Sequence, residues 1–282
     1  MKRRATIFAL PAVLAIAACE QKPAGEPVVR TELDESGPDQ AEEVVDAEAL
    51  PEASTEPQRA SVCIAVAFEG TQLTHCIADP ETHTIRTVLA PGGGQPFGSL
   101  AALADATASK TIAFAVTGGA FGDDLRALGY YVEEGERLSE LDRGEGDGNF
   151  YMKPNGVFFG SGEDWRVLST GRFFATVRDR PQFGTQSGPM LVTGGELHPD
   201  FEDDGASRTL RNGVGIDAEG HAHFVISDEP VSFGKIARFY RDEIGTKEAL
   251  LLASGNSALW DPATGRLDEG RAGPILVVEN KP

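Results

Sequence analysis

The chain has 282 residues, with 44 Asp and Glu against 25 Lys and Arg and a formal net charge of −19 at pH 7. That balance argues against nucleic acid as a partner, because neutralising phosphates takes basic patches. It leaves room for a small anionic ligand held by one or two arginines.

Lys2, Arg3 and Arg4 precede the apolar run "ATIFALPAVLAIAA", which is too short and too rich in Ala and Pro for a spanning helix. The run ends in "IAAC", which resembles a bacterial lipobox. The expectation is a lipoprotein signal peptide over residues 1–18, cleavage before Cys19 and lipidation of its sulfur. The alternative is an ordinary signal peptide with a chance cysteine. Lipidation implies a protein of the bacterial cell envelope, facing the periplasm and touching the membrane only through its anchor. Residues 19–60 follow as a lipidated cysteine and an acidic, Pro-containing stretch. Twelve acidic and three basic residues fall in 20–60, too little apolar surface to offset chain entropy, so a disordered tether is expected. Residues 61–282 then form one folded domain of net charge −13.

The domain opens with "CIAVAFEGTQLTHC", two strands around a Glu69-Gly70 turn. Pairing Phe68 with Thr71 sets Cys63 directly opposite Cys76, at a non-hydrogen-bonded position where Cα atoms come within about 4.5 Å. A disulfide fits this register and an oxidising compartment. Two free thiols or a metal pair are the alternatives, and no further cysteine or clustered histidine supports metal.

A third strand, "HTIRTVL", is followed by the loop "APGGGQPFGS" and a short helix in "SLAALADATAS" with Ser99 as N-cap. A buried strand over 111–116 runs into Gly118-Gly119. A hairpin turns at Glu134-Gly135. "NGVFF", "WRVLST", "RFFATV" and "GPMLVTGGELH" read as further short strands. "RNGVGIDAEGHAHFVIS" is a hairpin around residues 218–220. "SFGKIARFYRDEIG" is the strong helix, with Ser232 as N-cap, Phe233, Ile236, Ala237, Tyr240 and Ile244 on one face, and Gly245 as C-cap. The fold class is therefore α+β, a single domain of mostly antiparallel or mixed β-sheet with short strands and few helices.

Generic motifs are sparse. "GTQSG" misplaces its serine for a nucleophile elbow. "GEGDGNF" lacks the ligand spacing of a calcium loop, and "PGGG" has no Lys-Ser/Thr after it. His221 and His223 share one strand face; a metal pair is one reading, and two solvent-facing histidines beside a turn is the preferred one. Asp123 and Asp124 follow a strand end, where either surface charge or function fits. Gln186, Ser187, Arg211, Asn212, Ser227, Asn149 and Asn155 interrupt apolar runs and would each be costly to bury unpartnered. A shared pocket explains them; caps and turns explain most of them as well. Arg211 stands out as a bidentate site for phosphate.

These stretches, "TQSGPMLV", "HPDF", "SRTLRNGVGID", "FVISDEPVSFGKIARFYRDEIG" and "ALLLASGNSALWDP", together with "PFGSL", "DLRALGYYVEEGERL" and "GDGNFYMKPNGVFF", resemble the phosphodiester glycosidase family, which includes the catalytic domain of the mannose 6-phosphate uncovering enzyme. The resemblance spans roughly 62–279. It implies hydrolysis of a sugar-1-phosphodiester, glycan or lipid-linked, to free sugar and a phosphomonoester. Arg211 and Asn212 stand at the family's "RN" position, Gln186 and Ser187 in its "TQSGP" block, and Asn149 and Asn155 at its "GNF" and "PNG" asparagines. Arg211 and Ser187 are expected to be catalytic, with Asp124 or Asp217 as a substitute carboxylate. Asn149, Asn155, Gln186, Asn212, Ser227, Gly255 and Ser257 are expected to bind substrate. No cofactor or metal is implied, and a divalent ion is left open. Two departures matter: Thr117 stands where the family has Asn, and Ala253-Ser254 where it has Asp-Gly. A weakened, ligand-binding lipoprotein on the same scaffold is the alternative.

Overall fold

The computed structural model describes residues 60–282. The expected signal peptide, the lipidated Cys19 and nearly all of the tether lie outside the described residues. All described residues belong to one compact unit.

The chain begins with the hairpin β1 (Cys63–Phe68) and β2 (Thr71–Ala78), then β3 (His83–Val88), α1 (Leu100–Ala106) and β4 (Ile112–Thr117). A second hairpin, β5 (Tyr131–Glu133) and β6 (Glu136–Ser139), leads through a 3₁₀ turn at Asn149–Tyr151 into β7 (Gly156–Ser161) and β8 (Asp164–Ser169). Next come α2 (Thr170–Thr176), β9 (Phe183–Ser187), β10 (Met190–Thr193) and β11 (Glu196–Leu197). The hairpin β12 (Arg211–Ile216) and β13 (Ala222–Ser227) precedes α3 (Phe233–Arg238), which continues as wider π turns over Phe239–Ile244. The chain closes with β14 (Glu248–Ser254), β15 (Leu259–Asp261), β16 (Arg266–Leu267) and β17 (Ile275–Asn280).

The strands form three sheets, ordered β1-β2-β13-β12-β14-β10-β11, β16-β15-β4-β17-β3 and β6-β5-β9-β7-β8. Every named pairing is antiparallel. The inner faces meet in one core of Phe114, Phe158, Phe224, Leu250 and Leu276. Each outer face is covered by one helix. Ile236, Ala237 and Tyr240 cover Leu73, Val225 and Leu251; Leu100 and Leu103 cover Ala115 and Val277; Phe173 covers Val157 and Phe159. The period-two alternation of a strand explains the division: in β14, Leu250 and Leu252 enter the shared core while Ala249 and Leu251 face α3. Each of these buried leucine, isoleucine, valine and phenylalanine side chains contributes about 1.5–3 kcal/mol.

Cys63 pairs with Cys76 in the expected register and the two form a disulfide, with Cα atoms 3.9 Å apart. Ser99 and Ser232 cap their helices, accepting from the amides of Ala102 and Lys235. The stretch "RFFATV" departs from expectation. Its aromatic and β-branched content favours a strand, but Ser169 caps Thr170–Thr176 as a helix. Thr170 and Phe173, one turn apart, are buried, while Phe174 stays exposed. Packing of that face on β7 overrides the local preference.

Candidate functional site

The ends of strands from all three sheets meet at one cavity of about 250 Å³. Gly119 follows β4, Ser187 ends β9, and Ala253 and Ser254 end β14; the 147–151 turn closes the side, bringing Asp147, Asn149 and Tyr151. Close approach requires the Gly118-Gly119 pair. A Cβ at Gly118 would meet the Leu276 amide nitrogen at 2.6 Å, and one at Gly119 would meet Thr185 Oγ1 at 2.2 Å.

A bulge shapes the wall. Asn212 pairs with Ala253 and Gly213 with Leu251, so Leu252 is left over in β14. Its freed carbonyl accepts from Ser187 Oγ at 3.1 Å. Ser187 lines the cavity, but its hydroxyl hydrogen is committed to that carbonyl, and no neighbouring histidine or carboxylate among its contacts could act as base. The expected catalytic role does not fit this geometry; the hydroxyl oxygen remains as an acceptor.

Arg211 is fully buried, one layer behind the wall. Nε donates to the Val231 carbonyl at 3.0 Å, Nη2 to the Ser207 carbonyl and hydroxyl at 3.0 and 3.1 Å, and Nη1 to Ser254 Oγ at 2.7 Å. Its Cζ lies 3.5 Å above the Phe233 ring, a desolvated cation–π contact. No carboxylate pairs with it among the described residues. Burial pulls its pKa down to about 10, so it stays charged at neutral pH. Ser254 both receives this donor and faces the cavity. A hydroxyl that accepts in this way keeps its own hydrogen to donate.

Several other expected substrate contacts hold the scaffold instead. Gln186 Oε1 accepts from the amides of Tyr130 and Asp142, while Nε2 donates to the Asp142 carbonyl and Thr170 Oγ1. Both lone pairs and both hydrogens are used, leaving none for a ligand. Asn155 Nδ2 holds the Phe150 carbonyl, and Oδ1 accepts from Lys153 Nζ. Asn212 donates to the Thr117 carbonyl and accepts from the hydroxyls of Thr117 and Ser257. Ser227 Oγ accepts from the Arg211 amide. The Ala253 carbonyl, 3.2 Å from Ser257 Oγ, is the alternative acceptor for that one hydroxyl hydrogen, and Gly255 takes a φ of +84° with its amide bonded to the Leu210 carbonyl. None of these side chains lines the cavity; Asn149 does, with Ser187.

Neither expected carboxylate reaches it. Asp124 is exposed, at the tip of a turn where Oδ1 accepts from the Arg126 amide. Asp217 lies just past the opposite end of β12, roughly 20 Å along the strand from Arg211. The carboxylate lining the cavity is Asp147, an exposed residue, with Asn256 and Ser254 as further polar groups that were not among the expected site residues. Asp147 was legible only as part of "GEGDGNF", beside Asn149; nothing local shows that this turn and the end of β14 line one cavity. Thr117, the family's Asn position, is buried, with its hydroxyl accepting from the Ala258 amide. Ala253 presents a methyl where the family has a carboxylate.

A family model described as phosphodiester glycosidase matches residues 110–261, more than half of the chain and every residue lining the cavity. The chain belongs to the phosphodiester glycosidase family. "Uncharacterized protein YigE" of Escherichia coli (strain K12) is 31% identical over 175 residues, 62% of this chain and 68% of that one. The zebrafish N-acetylglucosamine-1-phosphodiester alpha-N-acetylglucosaminidase catalytic domain, auto-inhibited by its pro-peptide, superposes with a TM-score of 0.54. It is 14% identical, with 79% of this chain and 87% of that chain covered, and shares the fold. Within this phosphodiester glycosidase domain the described residues also contain one group with metal-ligand chemistry, Asp217, His221 and His223. The expectation of two solvent-facing histidines is corrected here. His223 is buried, and both rings turn onto the Asp217 carboxylate.

Proposed function

We propose that this phosphodiester glycosidase hydrolyses a sugar-1-phosphodiester in the cell envelope. Water adds across the bond between the anomeric carbon and its oxygen, so that hydroxyl goes to the sugar and the proton to the released phosphomonoester. The observation that carries this reading is the buried Arg211, which has no acidic partner among the described residues and hands its donor to Ser254 on the cavity wall. A guanidinium relayed through Ser254 Oγ–H supplies positive potential where non-bridging phosphate oxygens would sit. Asn149, Asn256 and the acceptor oxygen of Ser187 suit sugar hydroxyls. Asp147 is the carboxylate for assisting an oxocarbenium-like step. The zebrafish enzyme's name makes an N-acetylglucosamine-1-phosphodiester the first substrate to try. Lipidation at Cys19 would hold the domain on the periplasmic side of a membrane.

The test is release of free sugar from a panel of sugar-1-phosphodiesters, nucleotide sugars included, by the purified chain. Turnover that falls 10²–10⁴-fold in Asp147→Asn with an unchanged Tm is expected. No release from any diester by folded protein would refute the proposal. One observation favours a second reading, a binding protein on this scaffold: the Ala253 methyl at the family's carboxylate position. It expects diesters to raise Tm without turnover and Ala253→Asp to gain activity.

A further inference from the structure

We infer that Asp217, His221 and His223 form a binding site for a divalent transition-metal ion, separate from the catalytic cavity. The three residues sit within seven consecutive positions, the β12–β13 turn and the first residues of β13, at the end of that hairpin remote from Ser187 and Ser254. One candidate ligand atom from each lies within 4.8 Å of the others. His221 Nδ1 and His223 Nε2 are each 2.9 Å from Asp217 Oδ2. Ligand atoms bound about 2.1 Å from one ion stand roughly 3.0–3.4 Å apart between right-angle and tetrahedral geometry. The two histidine–carboxylate spacings need only a few tenths of an ångström of opening, while the two histidine nitrogens, held within 4.8 Å of each other, would settle into the same range around the ion.

The groups behind the ligands are those a metal site uses. Asp217 Oδ1 accepts from the amides of Glu219 and His221 at 3.0 and 2.8 Å, which fixes the carboxylate and leaves Oδ2 facing the rings. His223 Nδ1 is 2.9 Å from Nε2 of His75 on the neighbouring strand, where the two rings stack. A hydrogen on His223 Nδ1 leaves Nε2 with a free lone pair for the ion, and such partners orient metal-binding imidazoles. Two imidazoles and one carboxylate select Zn²⁺, Ni²⁺ or Co²⁺ over Ca²⁺ or Mg²⁺. Access is open: the His221 side chain is 35% exposed, and His223 and His75 line a surface groove with Phe68 and Glu243. Three protein ligands leave further coordination positions for water or a ligand from solution. An ion here would lock the turn to β2 through His75.

The tag-free full-length chain, stripped with a chelator, is titrated with Zn²⁺ by calorimetry and followed by thermal unfolding. One ion per chain is expected, with Tm rising by roughly 5–10 °C at a hundredfold excess over Kd. His221→Ala, at a partly exposed position that does not threaten folding, is expected to weaken binding at least tenfold. His75→Phe, which keeps the ring stack but removes the partner of His223, is expected to weaken it about tenfold. Co²⁺ should show the visible ligand-field bands of a nitrogen- and oxygen-ligated ion, and Asp217→Asn should alter them. No saturable binding by the wild-type chain, or equal affinity in His221→Ala, would overturn the assignment.

Discussion

Arg211 Nη1 donates a 2.7 Å hydrogen bond to Ser254 Oγ, and that contact joins a fully buried cation to the cavity wall. The pair sits in register, Arg211 opposite Ser254 on adjacent strands, immediately beside the bulge at Leu252. The strand pairing that builds the wall therefore also positions the charge behind it.

Arg211→Lys is expected to destabilise the domain by about 2–4 kcal/mol in urea unfolding. Lysine keeps the charge but cannot serve Val231, Ser207 and Ser254 together, and stranded buried acceptors are costly. Ser254→Ala should unfold nearly as wild type but lower kcat/KM roughly 10–100-fold, a loss carried by the missing cavity donor. Wild-type kcat/KM in Ser254→Ala would remove the relay.

Gln186→Leu should act on stability rather than on substrate affinity. It leaves the amides of Tyr130 and Asp142 without their acceptor, at about 1–3 kcal/mol each where buried. A raised KM with unchanged unfolding free energy would return Gln186 to the substrate site.

Replacing both Cys63 and Cys76 by Ser is expected to cost about 2–3 kcal/mol, as the bond closes a short loop in the unfolded chain. Reductant should lower the Tm of the wild type and leave that of the double variant unmoved.

Glu133 is the site of a pH effect. Burial pushes its pKa above the ordinary 4.5, against the opposing hydrogen bonds from Tyr131 Oη and the Leu89 amide. The folded state thus holds this proton more tightly than the unfolded state. Its contribution to stability is full below about pH 4.5 and is lost as pH rises through the higher folded value. Glu133→Gln, neutral throughout, should gain stability relative to wild type as urea unfolding is moved from pH 4 towards pH 7. A difference that shrinks over that range would reverse the sign.

Much of the fold is readable because its determinants are local. The Glu69-Gly70 turn sets the Cys63–Cys76 register, since a tight hairpin turn leaves one pairing open to its strands. Ser99 and Ser232 announce their helices because a cap bonds only three residues along. "RFFATV" misleads because its helical state depends on Phe173 packing against β7, beyond the reach of local preference.

The order of residues by itself determined the short antiparallel strands, the disulfide, the caps and the family, all products of period, turn chemistry and motif. Only the tertiary structure decided which polar residues face a ligand. Gln186, Asn155 and Asn212 look like site residues in sequence, and become struts because distant backbone groups, at Asp142, Phe150 and Thr117, take up their hydrogen bonds. Asp147 looks like one acid among many and becomes the carboxylate of the cavity because its turn lines the same cavity as the end of β14. A side chain's hydrogen-bonding capacity belongs to its residue type, but which partner consumes it is set by chain segments far away in sequence.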